Sequence, residues 1–252
     1  MSFITSLRKE MVEQWRTYRL LVLAVILIVF GLLSPLAAKF TPQIITMIPG
    51  GEQISKIIPE PTILDAVAQY IKNVGQFGIL MAIFLAMGSV VQEKDKGTAA
   101  MMLVKPLPRS SFLMAKFAGI SLSFLVCLAL SGLGAYYYTV ILFSAPDFSA
   151  WLALNGLLFL YLEVYIAITF LFSTLVRSQA AAAGLSFGVL LLLGLIGSYG
   201  TLGQYLPGQL LVWGGQLMVK VTTPYWPALG VSLGLVAVCL AAAWLIFDRQ
   251  EI

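Results

Sequence analysis

The chain contains no histidine, and that absence removes the commonest general base and metal ligand in proteins. Metalloprotease sites built on paired histidines, and nucleophilic serine sites that need a histidine base, are excluded with it. Cysteine is nearly absent too. Cys127 and Cys239 are the two in the chain, and each lies midway along an apolar run, as a small buried hydrophobe does rather than a disulfide or metal framework. No G-x-x-x-x-G-K-[ST] phosphate loop and no dinucleotide fingerprint occurs, so the chain does not itself hydrolyse ATP by that route. The reading is therefore not an enzyme, with no catalytic residue and no metal ligand set assigned. Charge is scarce as well: 10% of residues are charged, against about 25% in an ordinary soluble domain. With 60% hydrophobic residues and a mean hydropathy of +0.95, the composition is that of a membrane protein. The net charge of +4 is no nucleic-acid signal, because the basic residues are segregated by loop.

What is present is a set of long apolar runs. A helix crosses roughly 30 Å of hydrocarbon in about 20 residues, and six segments qualify, at about 18–38, 74–91, 112–137, 151–176, 180–199 and 228–247. Ten of the eleven prolines fall in the connections, with Pro35 near the end of the first span. With the N-terminus inside, eleven of the fifteen Lys and Arg lie in inner connections and four in outer ones. That bias predicts a multi-pass protein of the cell membrane with both termini cytoplasmic. The first apolar run, of about 19 residues, is too long for a cleaved signal's apolar region and is followed by no good cleavage site.

The connections carry their own signals. In residues 1–17, Ile4, Leu7, Met11, Trp15 and the following Tyr18 share a helical face, which predicts an interfacial amphipathic helix leading into the first span. Thr62, with Asp65 three residues on, opens a helix that carries the second span two or three turns beyond the membrane. Before the sixth span, residues 208–221 are too apolar for a solvated loop and too short to cross. Gly214 and Gly215 are expected to break this stretch into a re-entrant hairpin, an interfacial helix being the alternative. Ala180, Gly184 and Gly188 on span five, and Gly230 and Gly234 on span six, recur every four residues. Such stripes point to close packing within the chain, or to a dimer or pore-lining face. The whole of 1–252 reads as one transmembrane domain, all α, without an appended soluble domain.

One ionisable residue lies deep in a span. Glu163 sits near the centre of the fourth, where a charge costs about 3 kcal/mol even on lenient insertion scales. It is expected to be neutral, or paired with Asn155, Tyr165 or a polar group on another helix. Those three residues are the candidates for a polar patch on a substrate path; interhelical hydrogen bonding is the other reading.

The segment with most to explain is the connection at 90–119, VVQEKDKGTAAMMLVKPLPRSSFLMAKFAG. Four polar residues would join two spans. Here Glu93, Lys94, Asp95 and Lys96 lead into Gly97 and Thr98, a natural helix N-cap. A short apolar run, Met101, Met102, Leu103 and Val104, is then stopped by Pro106 and Pro108 before Arg109 starts the third span. A seven-residue helix does not survive alone in water, so this one needs a surface, either lipid or a protein partner, and methionines flanked by charge suit protein docking.

This stretch resembles the signature region of the type-2 ABC permease family: an acid, Gly-Thr, Pro-x-x-Arg and a lysine opening the next span, here Glu93, Gly97, Thr98, Pro106, Arg109 and Lys116. The second proline, Pro108, departs from the pattern. The six spans, the N-terminal amphipathic helix and the short apolar segment before the last span accord with the same family. The resemblance implies the permease subunit of an ATP-driven transporter, mostly exporters, that pairs with an identical or homologous permease subunit. Two cytoplasmic ATPase subunits, which hold the ATP and magnesium, would seat the helix after Thr98 as a coupling helix, with Glu93, Gly97, Thr98, Met101, Met102, Leu103, Pro106 and Arg109 at that contact. Spans two and five would line the central interface. The chain itself carries no cofactor, binds no nucleic acid, and has the lipid bilayer as its surroundings. A non-transporting membrane anchor that docks a cytosolic protein, or an ATP-independent carrier, is the alternative.

Overall fold

The computed structural model describes residues 3–47, 59–95, 108–219 and 223–250. Among these there are ten helices and no strand: α1 (Phe3–Arg16), α2 (Arg19–Thr46), α3 (Ile63–Ala86), α4 (Val91–Asp95), α5 (Arg109–Leu142), α6 (Phe148–Leu175), α7 (Gln179–Gly197), α8 (Gly200–Gly203), α9 (Gly208–Leu217) and α10 (Trp226–Asp248). Six are long and apolar enough to cross a membrane: α2, α3 continued through α4 to Lys94, α5, α6, α7 and α10. Successive spans run in opposite directions, so α1, α4 and the start of α5 share one end of the bundle, here the charged end.

Helix α6 is the hub. It touches α3, α5, α7, α9 and α10, while α2 packs between α3 and α5. The approach of α2 to α5 depends on Gly31, where a Cβ would overlap Ser131. Ser131 in turn donates from its hydroxyl to the Leu27 carbonyl at 2.7 Å. Beyond this, neutral polar side chains tie the half of the bundle away from the charged end. Tyr70 donates to Asn155 Oδ1 at 2.7 Å, Trp151 Nε1 donates to the Gly132 carbonyl at 3.1 Å, and Asn73 Nδ2 donates to Ser34 Oγ at 3.0 Å. In lipid, where apolar burial gives little drive, such contacts and close backbone approach hold helices together.

Three expectations change. Helix α2 continues to Thr46, so Pro42 as well as Pro35 lies inside it; a helix in a bundle tolerates proline because neighbours and local adjustment satisfy the freed carbonyl. Gly214 and Gly215 do not break the segment before the last span, which is one helix, α9, through both. Their lack of side chains serves packing instead, since a Cβ on Gly214 would come within 3.3 Å of Leu154 on α6. At ten residues, or about 15 Å, α9 is too short to span. Finally, Gly184, Gly188, Gly230 and Gly234 meet nothing within 4 Å of an added Cβ. These stripes do not pack inside the chain. They lie on α7 and α10, whose span windows are 11% and 17% buried, against 72% for α3 and α6.

Candidate functional site

The charged end is organised around the two flanks of the connection between the second and third spans. On its N-terminal side, α3 breaks at the Gly88–Ser89 pair, a common cause of sharp helix kinks. The chain turns over 87–90 and restarts as α4. The break is filled from α6: the buried Ser173 hydroxyl accepts the backbone N–H groups of Val90 and Val91, at 3.1 and 3.3 Å. A side chain from another helix thus caps α4, supplying acceptors that a helix N-terminus lacks.

This turn aims Glu93 inward. Its carboxylate meets Lys116 Nζ of α5 at 2.7 Å and Lys9 Nζ of α1 at 3.2 Å. Lys116 also lies 3.1 Å from Glu10 Oε1 and 3.2 Å from Oε2, and Lys9 is 3.7 Å from both Glu10 and Glu13. With its side chain 3% exposed, Lys116 is an ammonium taken out of solvent and repaid by two carboxylates. Burial alone would lower the Lys9 pKa, but Glu93, Glu10 and Glu13 together raise it. For Glu10 burial dominates and pushes the carboxyl above its ordinary range, while Lys116 and Lys9 pull it back. Glu10, Glu13 and Glu93 bring carboxylate oxygens within 4.8 Å of one another. Two ammonium groups already stand among them, so the arrangement is an ion-pair cluster.

Helix α1 reaches this cluster with its polar side. Ser6 and Gln14 are buried and Glu10 lies between them, whereas Ile4 and Trp15, of the predicted apolar face, are exposed. A membrane protein can be built this way, apolar side outward. The α1–α5 approach is close enough that a Cβ on Gly119 would come within 3.1 Å of Glu10 Cβ, and Ser123 donates to Gln14 Oε1 at 2.6 Å.

The C-terminal flank is fastened to another helix end. Arg109 Nη1 donates to the carbonyls of Phe247, Asp248 and Gln250, at 3.3, 2.7 and 3.1 Å. A cation at the C-terminus of α10 satisfies orphan carbonyls and complements the helix dipole. Phe112, one turn on, stacks on Phe247 at 5.6 Å. Lys94 Nζ lies 5.9 Å from the other partner in this stack, Phe247, and donates to the Thr174 carbonyl at 2.6 Å. Gln250 donates to the same carbonyl at 3.1 Å. The flanks therefore hold on to α1, α5, α6 and α10 at once.

Of the residues expected at the coupling contact, Glu93 and Arg109 occupy these two anchors. Gly97, Thr98, Met101, Met102, Leu103 and Pro106 lie outside the described residues. The substrate-path candidates are not gathered into one patch. Glu163, buried in α6, accepts from Ser121 Oγ of α5 at 2.9 Å, so the partner is a polar group on another helix rather than Asn155 or Tyr165. Asn155, two turns away, takes the Tyr70 hydroxyl, and Tyr165 meets Tyr161 edge to face at 5.2 Å. Asn155 borders an apolar groove of about 400 Å³ between α5 and α6. The sequence reading did not find Lys9, Glu10 or Ser173. A signal existed: Lys116, Gly119 and Ser123 recur at three and four residues, a polar and small stripe matching Ser6, Glu10 and Gln14 on α1.

A family profile described as ABC-2 family transporter protein matches residues 4–252. The uncharacterized transmembrane protein YxlG of Bacillus subtilis (strain 168) is 29% identical over 187 residues, 73% of this chain and 71% of that protein.

Proposed function

The chain belongs to the ABC-2 family of transporter proteins, a membrane permease subunit without catalytic machinery of its own, and on that premise we propose that it is half of an ATP-driven exporter, coupled through residues 93–109 to separate cytoplasmic ATPases. The observation that carries this reading is the double anchorage of the connection. Short cytoplasmic loops need no buried ion pair at one end and no helix cap at the other. Here Glu93 is bound to α1 and α5 through Lys9 and Lys116, and Arg109 to α10. A push delivered at these two anchors is passed to α1, α5 and α10, as a transition between inward and outward access requires.

The charged end is the cytoplasmic one in this reading, in keeping with the Lys and Arg bias. Ser110→Cys is expected to react with an impermeant thiol reagent only after permeabilisation, and Thr201→Cys from outside intact cells. Labelling of Ser110→Cys in intact cells would reverse the orientation. A second permease subunit would cover α7, whose outward face carries Gly184 and Gly188. Of the two spans expected at a subunit interface, α7 leaves its surface open while α3 is enclosed by its own chain.

The deciding experiment replaces Met102 and Leu103 together by aspartate. Burying two such side chains against a partner is worth about 1.5–3 kcal/mol each. The expected product is a correctly inserted subunit that loses its ATPase during detergent purification. Retention of the ATPase at the wild-type ratio would show that the apolar run rests on lipid, and the coupling assignment would fall.

A further inference from the structure

We propose that the elbow between α1 and α2 binds one anionic phospholipid of the adjoining leaflet, its phosphate on Arg19 and an acyl chain in the groove between α2 and α3. Any outward face of a membrane helix is covered by exchanging lipid; this groove is distinguished by what stands at its end. A cavity of about 440 Å³ is walled by Val22 and Ile26 of α2 and by Met81 and Phe84 of α3, and it ends on Arg19 and Gln92. The walls are apolar and the end is polar and cationic, which is the polarity of a phospholipid.

Arg19 differs from Lys9 and Lys116, the other cations lining the cavity that adjoins the groove. Lys9 and Lys116 are each matched by carboxylates. Arg19 donates from Nη2 to the neutral Gln92 Oε1 at 2.7 Å, and among the described residues no carboxylate lies within ion-pair distance of it. That bond ties the guanidinium to Gln92 at the end of the groove and leaves most of its N–H donors for a ligand. A planar, fixed guanidinium is the side chain best matched to a phosphate.

The backbone adds to the same field. Tyr18 takes the left-handed conformation (φ 59°, ψ 6°) and gives α2 no side-chain cap. The chain therefore turns sharply there and opens a new helix whose first N–H groups have no intrahelical acceptor. A helix N-terminus beside a guanidinium favours an anion. Trp15 and Tyr18, each 69% exposed, mark this elbow as headgroup depth. A second cavity of about 280 Å³ shares Arg19, Gln92 and Gly88 with the groove, and beyond them it is lined by Lys9, Lys116 and the carboxylates of Glu10, Glu13 and Glu93; the phosphate therefore stays at Arg19, and this cavity has room for an uncharged remainder of the headgroup such as glycerol.

The test is native mass spectrometry of the full chain in detergent, titrated with phosphatidylglycerol and with phosphatidylcholine of the same acyl chains. The wild type is expected to retain one phosphatidylglycerol about tenfold more tightly than phosphatidylcholine, the effect of one charge-assisted contact. Arg19→Gln is expected to remove that preference. Val22→Trp, which fills the groove and leaves Arg19 in place, is expected to weaken both lipids, and Arg16→Gln, an exposed charge outside the groove, to change neither. Equal retention of the two lipids by the wild type overturns the proposal, as does an Arg16→Gln loss equal to that of Arg19→Gln, or undiminished binding by Val22→Trp. The measurement needs no ATPase, so its failure leaves the coupling reading untouched and the converse also holds.

Discussion

At the charged end Lys116 holds Glu93 and Glu10 at 2.7 and 3.1 Å, whereas in the opposite half Tyr70 meets Asn155 at 2.7 Å and Asn73 meets Ser34 at 3.0 Å with no formal charge on either side. The distances are alike; the chemistry is not. In the first set carboxylates and ammonium groups are buried at a cost that mutual attraction offsets. In the opposite half the fastenings are hydroxyls and amides, which cost far less to bury than charges do. Bond chemistry therefore distinguishes the two ends of the bundle. It also decides how each fastening fails: an ion pair that loses one partner strands a buried charge, while a neutral pair strands only a dipole.

The largest expected effect breaks the ionic side. Lys116→Met leaves Glu10 and Glu93 facing each other without a buried cation, a loss of about 3–5 kcal/mol for a truncated buried pair. Thermal unfolding in detergent should show it, with partial recovery when Glu93→Gln is added. If Lys116→Met melts with the wild type, the two ends are fastened alike and the contrast is lost. Next comes the neutral side. Asn155→Leu deprives the Tyr70 hydroxyl of its acceptor and is expected to cost about 1 kcal/mol, the usual scale for interhelical hydrogen bonds in membranes. A loss as large as that of Lys116→Met would erase the contrast.

Glu163 sits between the two regimes. An amide at this position can still accept from Ser121, so Glu163→Gln is expected to melt close to the wild type. Normal assembly with lost transport would then place the carboxyl on the cargo's path; normal transport would make it fastening only. The smallest effect concerns Glu10. Because its folded pKa is raised, the stability it contributes is fully present below the ordinary value of 4.5 and declines as pH rises through the folded value. Glu10→Gln removes that decline. The melting temperature of the variant relative to wild type should climb as pH increases from 4.5, and a flat difference would contradict a raised pKa at Glu10.

Much of the fold was legible because hydropathy reports crossing. It does not report position in the bundle: α6 and α7 have window hydropathies of 1.9 and 2.2, yet 72% and 11% of those windows are buried. What separates them is polar content. Helix α6 carries Asn155, Glu163, Thr169, Ser173 and Thr174, while residues 187–197 of α7 contain no polar side chain; in lipid, polarity and not greasiness marks the inside of a bundle. Glu93, Arg109 and Lys116 stood out in sequence because charges are rare in this chain. Their partners did not, since Lys116 and Glu10 are 106 residues apart and only the packing of α1 on α5 joins them. Helix ends were least legible where proline or glycine did not terminate a helix, as at Pro42, Gly214 and Gly215.

The capping of α4 by Ser173 alters which parts of the chain travel together. In an unbroken helix the N–H groups of Val90 and Val91 would return to the carbonyls of Ala86 and Met87. They are given instead to α6, where Lys94 is also held by the Thr174 carbonyl. Helix α4 is thus covalently the continuation of α3 but mechanically an outgrowth of α6. The Gly88–Ser89 turn divides one continuous stretch of chain into two bodies, α3 with its own ladder of hydrogen bonds and α4 with its seat on α6.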